Sequence, residues 1–250
     1  MAVRVNRLNW VVIGGVSICI GLVAHAALMT EGSMPKAPVY RPPEARGLRR
    51  RVDGHVRGID DAILTLTVLA PEDVGWTTKA QPSLYWFQSK SVSNEFELTI
   101  TQKGVVKPLM EAKLVGVTEG IQRLRLSDYD ITLTEGVEYR WSVAMVVDDQ
   151  HRSSDVVASG AIMRVKPSSA LLARLKGAPA SELPTIYAQE GIWYDSMEAL
   201  SQLVATRPQD VKLRELRAIY LNQVGLYDAA MHEMLLANPS GISNAPAAQP

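Results

Sequence analysis

The chain has 250 residues, is 47% hydrophobic and 21% charged, and sets 26 Lys and Arg against 26 Asp and Glu. This composition is ordinary for a globular protein, and the length allows one or two domains with a sizeable core. The balanced charge does not favour nucleic acid as the main partner, and a single cysteine, Cys19, excludes a disulfide framework.

The opening stretch, "MAVRVNRLNWVVIGGVSICIGLVAHA", places Arg4 and Arg7 ahead of an apolar run from Trp10 to Ala24. Ala24 and Ala26 then flank His25. A basic start, an apolar run and a small-x-small site predict a secretory signal peptide over residues 1–26, cleaved after Ala26. A retained membrane anchor is the rival, because the run approaches the length of a span. Cleavage removes two basic side chains and no acidic one, leaving 24 basic residues against 26 acidic. It also removes Cys19, so the expected product has no thiol for a nucleophile or a metal site. The expected destination is the periplasm or the extracellular space.

Residues 27–60 contain "SMPKAPVYRPPEARGLRRRVDGHVRG", rich in proline and arginine and lacking apolar periodicity. This predicts a solvated spacer. The alternative is a docking strip for lipid head groups or an acidic partner, because Arg41, Arg46, Arg49, Arg50, Arg51 and Arg57 outnumber Glu44 and Asp53.

Residues 61–166 read as seven strands: "AILTLTVLAP", "PSLYWFQ", "NEFELTIT", "KPLMEAKLV", "IQRLRLS", "VEYRWSVAMVV" and "DVVASGAIMRV". In the sixth, Val137, Tyr139, Trp141, Val143, Met145 and Val147 alternate with Glu138, Arg140 and Ser142, the two-residue period of a half-buried strand. In "SLYWF", Leu84 and Trp86 fall on one face and Tyr85 and Phe87 on the other, so both faces are expected to be covered, the second by the helical part. "LTEGVEYRW" resembles the tyrosine corner of immunoglobulin-like and fibronectin-like sandwiches, which makes Tyr139 structural and Trp141 a core anchor.

After Pro167 the periodicity becomes helical, with "SSALLARLKG" giving a short helix behind a serine N-cap. Further helices are predicted at 181–190, 192–206, 210–223 and 226–237. "GIWYDSM" and "GLYDAAM" align with Gly191 on Gly225, Trp193 on Tyr227 and Met197 on Met231, an offset of 34 residues. That is the tetratricopeptide period, and the region 167–238 resembles two such units. Trp193 is expected to fill the space between helices. The resemblance places Lys212, Glu215, Asn222 and Gln223 on a concave face that holds peptides. Two units are fewer than usually stand alone, so capping by the sandwich, by the helix after Pro167 or by a second copy is expected. Residues 239–250 are expected to be a disordered tail. The fold class is thus β then α: an immunoglobulin/fibronectin-like antiparallel β-sandwich at 61–166, followed by a short tetratricopeptide-like helical region.

"YRPPEARG", "LAPEDVGWTTKAQPSLYWF", "YRWSVAMVVDDQHRSSDVVASGAIMRV" and "YAQEGIWYDSMEAL" together resemble a bacterial family catalogued as domain-of-unknown-function family 928. The resemblance implies export and a common plan, and carries no reaction with it. Where that family usually has a glycine run after the arginines, this chain has "VDGHVRG".

No catalytic, metal or cofactor site is expected. His55, His151 and His232 lie far apart without ligand spacing. In "DDQHRSSD", Arg152 and Asp155 either pair to fix a tight turn or present a recognition loop through the arginine fork. A hydrolase centred on His151, Ser153 and Asp155 is the least supported reading, because neighbours on a hairpin rarely converge in triad geometry. Trp76, in "APEDVGWTT", is either core at a loop base or a stacking platform for a sugar. The leading expectation is a non-catalytic exported adaptor contacting another envelope or secreted protein. The alternative is a carbohydrate- or cell-envelope-binding module.

Overall fold

The computed structural model describes residues 38–43, 51–57 and 63–239. The expected signal peptide at 1–26 lies outside the described residues, as does the expected tail beyond Pro239.

The order is β then α. Nine strands occur among the described residues: β1 (Gly54–Arg57), β2 (Ile63–Val68), β3 (Gly75–Thr77), β4 (Ser83–Gln88), β5 (Phe96–Gln102), β6 (Met110–Leu114), β7 (Gly120–Arg125), β8 (Glu138–Met145) and β9 (Val156–Arg164). They form two sheets, in the orders β1-β2-β4-β7 and β3-β9-β8-β5-β6. Five helices follow: α1 (Ser169–Leu175), α2 (Leu183–Gln189), α3 (Trp193–Thr206), α4 (Val211–Gln223) and α5 (Tyr227–Ala237).

Period-2 patterning fixes the register of the long strands. Phe96, Leu98 and Ile100 of β5 are fully buried and pair with Met145, Val143 and Trp141 of β8, whose Glu138 and Arg140 stay off the core face. The alternation breaks after Met145. There Val146 is buried and donates its backbone N–H to Glu95 O, and Val147, expected inside, is exposed. Between the two sheets, Val68 of β2 meets Gly160 of β9, where a Cβ would stand only 2.7 Å from the Cβ of Ala70. Gly160 is therefore required by the closeness of the layers.

Two strands were not legible in the sequence. β1 arises from the stretch expected to be a spacer, and β3 from the loop carrying Trp76. Each has four residues or fewer and lies at a sheet edge, so neither is long enough to show a period. β3 pairs with β9 in parallel, which corrects the expectation of a wholly antiparallel sandwich.

β4 is buried at every position, as its pattern predicts. Leu84 and Trp86 share the face of Val68 toward the second sheet, while Phe87 packs at a tilt against His232 of α5 with ring centroids 5.3 Å apart. Strands and helices consequently share one continuous hydrophobic core, from Leu66 and Trp141 to Trp193, Tyr220 and Leu226.

The helices pack as consecutive pairs, α2 with α3 and α4 with α5. The repeat is visible in the turns between them. Gly191 and Gly225 adopt φ values of 75° and 74°, and the following residues donate six-residue hydrogen bonds, Ile192 N to Tyr187 O and Leu226 N to Leu221 O, both 2.9 Å. This is a left-handed C-cap that glycine adopts without strain. Ser168 caps α1 by accepting from Leu171 N at 3.0 Å. A buried ion pair locks the last hairpin: Glu233 accepts from Arg217 at 2.7 Å, and Arg217 also donates to Ser201 of α3 at 3.2 Å.

Candidate functional site

The first turn of α3 is the junction on which the surfaces depend. Trp193, Tyr194 and Asp195 are buried, and each reaches a different part of the sheets. Trp193 Nε1 donates to Leu69 O at 2.8 Å, just past β2. The Tyr194 hydroxyl accepts from Trp141 Nε1 of β8 at 2.8 Å and donates to Ala161 O of β9 at 3.0 Å. Asp195 accepts from Thr77 Oγ1 and from the backbone and hydroxyl of Thr78, at the end of β3. Burial raises the Asp195 carboxyl above its ordinary range, only partly offset by these donors. Three consecutive residues therefore clasp the helices onto both sheets.

Gln223, expected to face a partner's peptide, bonds the chain's own extended segment Pro38–Pro43. The carboxamide accepts from Tyr40 N at 2.7 Å and donates to Pro38 O at 2.8 Å. Tyr40 is buried with its ring edge-on to Trp193 at 4.9 Å. Arg51, counted in the proposed basic strip, caps the end of α4 instead, donating to Val224 O at 2.7 Å and to Gly225 O at 3.3 Å. Both described parts of the 27–60 stretch are thus docked. Burial of one tyrosine and capping by one arginine leave no periodic signal in the sequence.

Arg152 and Asp155 are brought together as their spacing predicts. Arg152 Nε donates to Asp155 at 2.7 Å, while the other two nitrogens of its fork grip Glu97 of β5 at 3.2 and 2.5 Å. The other Asp155 oxygen accepts from Val147 N at 3.2 Å. The arginine fork is thereby spent on closing the β8–β9 turn, and Glu97 is held below the ordinary carboxylate range by that hydrogen bond. His151 pairs with Asp148 at 2.7 Å rather than with Asp155, so His151, Ser153 and Asp155 do not form a hydrogen-bonded relay. Trp76 sits on β3, half-buried against the small apolar cluster of Leu171, Ile186 and Ile192. Lys212 and Asn222 are exposed on α4, with Glu215 half-buried between them.

The repeat is unequal in one respect that patterning did not reveal. Trp193 and Met197 in the first unit are 0% and 1% exposed, yet their counterparts Tyr227 and Met231 are 67% and 61% exposed. Met234 and Leu235 extend the same stripe along α5, at the i, i+4, i+7, i+8 spacing of one helix face. In the first unit this face is buried; in the second it stays exposed, with Tyr227 forming one wall of a cleft shared with Asp53, His55 and Thr67.

Among the described residues no group of three His, Cys, Asp or Glu side chains converges for a metal, and no helix is long and apolar enough to cross a membrane. The model of a family described as Domain of Unknown Function (DUF928) matches residues 49–234. The chain belongs to that family. The DUF928 match takes in the clasp at Trp193–Asp195, Gln223 and the start of the α5 stripe, while Pro38–Pro43 lies outside it. No curated protein matches the chain.

Proposed function

We propose that this DUF928 protein is a non-catalytic exported binding protein whose outward helix, α5, docks another envelope or secreted protein. The observation that carries this reading is the Tyr227–Met231–Met234–Leu235 stripe. Its equivalents in the preceding unit are buried, and exposed contiguous apolar faces mark interaction sites. Methionine suits such a surface because it adapts to the contour of a partner. Export rests on the basic, apolar, small-x-small order of residues 1–26.

Two finer readings of the fold support the same role. The sheets fit an immunoglobulin- or fibronectin-like sandwich, since the Tyr139 hydroxyl accepts from Thr134 N at 3.2 Å in the manner of a tyrosine corner. The helices fit tetratricopeptide-like units, since their matched turns recur at the repeat spacing.

The test is crosslinking in the native envelope fraction with the wild type, Tyr227→Glu/Met231→Glu and Arg152→Ala. The expected result is one partner set retained by Arg152→Ala and lost by the α5 double variant. A partner set unchanged in the double variant would contradict the proposal.

A further inference from the structure

The groove that holds Pro38–Pro43 is built like a receptor. Gln223 bonds Pro38 O and Tyr40 N, two groups on one edge of an extended chain, as a neighbouring strand would. Ala188 O at the end of α2 accepts from Arg41 N at 3.0 Å on the opposite edge. The backbone is therefore gripped from both sides, independently of sequence. Selectivity comes from Trp193, which takes the aromatic ring, and from Gly191, where a Cβ would stand 2.8 Å from Arg41 O. Prolines at 38, 42 and 43 hold the segment extended and lower the entropy lost on docking.

The segment seated there is not the best one for the site. The Tyr40 hydroxyl is buried and has no hydrogen-bond partner among the described residues. Stranding a polar group in this way weakens binding, on the order of tenfold. A phenylalanine would fill the same space without that penalty.

We propose that this groove is a receptor site for an extended peptide of a partner protein, with an aromatic residue beside Trp193 and prolines on either side, and that Pro38–Pro43 covers it in cis. The proposal rests on the binding-protein reading above but uses a different surface, so failure here leaves the α5 stripe standing and the reverse.

The experiment measures fluorescence anisotropy of a labelled, capped peptide of residues 38–43 carrying the Tyr40→Phe change, titrated with the full chain. Tyr40→Ala, which loosens the cover, should bind the peptide roughly tenfold or more tighter than wild type. Adding Gln223→Ala should abolish the gain. Equal binding by wild type and a folded Tyr40→Ala, or no effect of Gln223→Ala, would overturn the proposal. Where Tyr40→Ala fails to fold, Tyr40→Phe in the full chain decides: it should tighten the cover, raise Tm and weaken peptide binding below wild type, and binding at or above wild type would overturn the proposal. A concentration-dependent wild-type dimer abolished by Tyr40→Ala would put a second copy in the groove and overturn the assignment to a foreign partner.

Discussion

Trp141 and Tyr194 meet in the core with ring centroids 6.5 Å apart and a 2.8 Å hydrogen bond from indole to hydroxyl. One lies mid-strand in β8 and the other in the first turn of α3, so this contact joins the sheets to the helices directly. The hydroxyl is fully used, since it also donates to Ala161 O.

Tyr194→Phe keeps the ring and strands one buried group, Trp141 Nε1, while Ala161 O keeps its place in the β3–β9 ladder. An unsatisfied buried group costs about 1–3 kcal/mol, and a loss of that size in denaturant unfolding is expected. Trp141→Ala should cost roughly 3–5 kcal/mol through the cavity it leaves. A Tyr194→Phe variant as stable as wild type would show that the hydrogen bonds do not hold the junction.

Asp195 gives the junction a pH signature. Its folded carboxyl keeps a proton above the ordinary 3.8 because burial disfavours the charge. In the window from 3.8 up to the raised value, the folded state binds more protons than the unfolded one. The stability this group contributes is full below the window and is lost as pH rises through it. Asp195→Asn removes the titration, so wild type should lose stability relative to the variant as pH rises, measured by denaturant melts at several pH values. A flat difference, or one of opposite slope, would mean that the carboxylate stays ionised among its threonines.

Much of the β-then-α order was readable because the long elements bury one face with a clear period. "VEYRWSVAMVV" and "NEFELTIT" alternate, and Gly191 and Gly225 punctuate a repeat. β1, β3 and the Tyr40 contact escaped, because short edge strands and single docked side chains are specified by tertiary partners rather than by pattern. The candidate surfaces were half legible. The Arg152–Asp155 pair followed from spacing, whereas the hold of Gln223 on the chain's own Pro38 and Tyr40 did not. Glu97, which claims the rest of the arginine fork, lies 55 residues away from Arg152. The α5 stripe reads as an ordinary amphipathic helix until the structure shows it exposed.

The Arg152 network is a turn device on the surface. Its partner Glu97 titrates below the ordinary 4.5 chiefly because of the arginine hydrogen bond, so what this group adds is present above that value and lost as pH falls. Arg152→Ala should return Glu97 toward 4.5 in a carboxyl NMR titration and cost only a small, salt-sensitive stability, since exposed ion pairs are weak. An unchanged Glu97 titration would contradict this assignment.

The helices form one cooperative body with the sheets, clasped by Trp193, Tyr194 and Asp195, so that α5 is carried outward as a rigid face. Native-state hydrogen exchange in rising denaturant tests this most directly, comparing amides of α3 and α4 with those of β8 and β9. The predicted result is convergence of both sets on a single global unfolding free energy. Helices that open at much lower free energy, with the strands still protected, would contradict it.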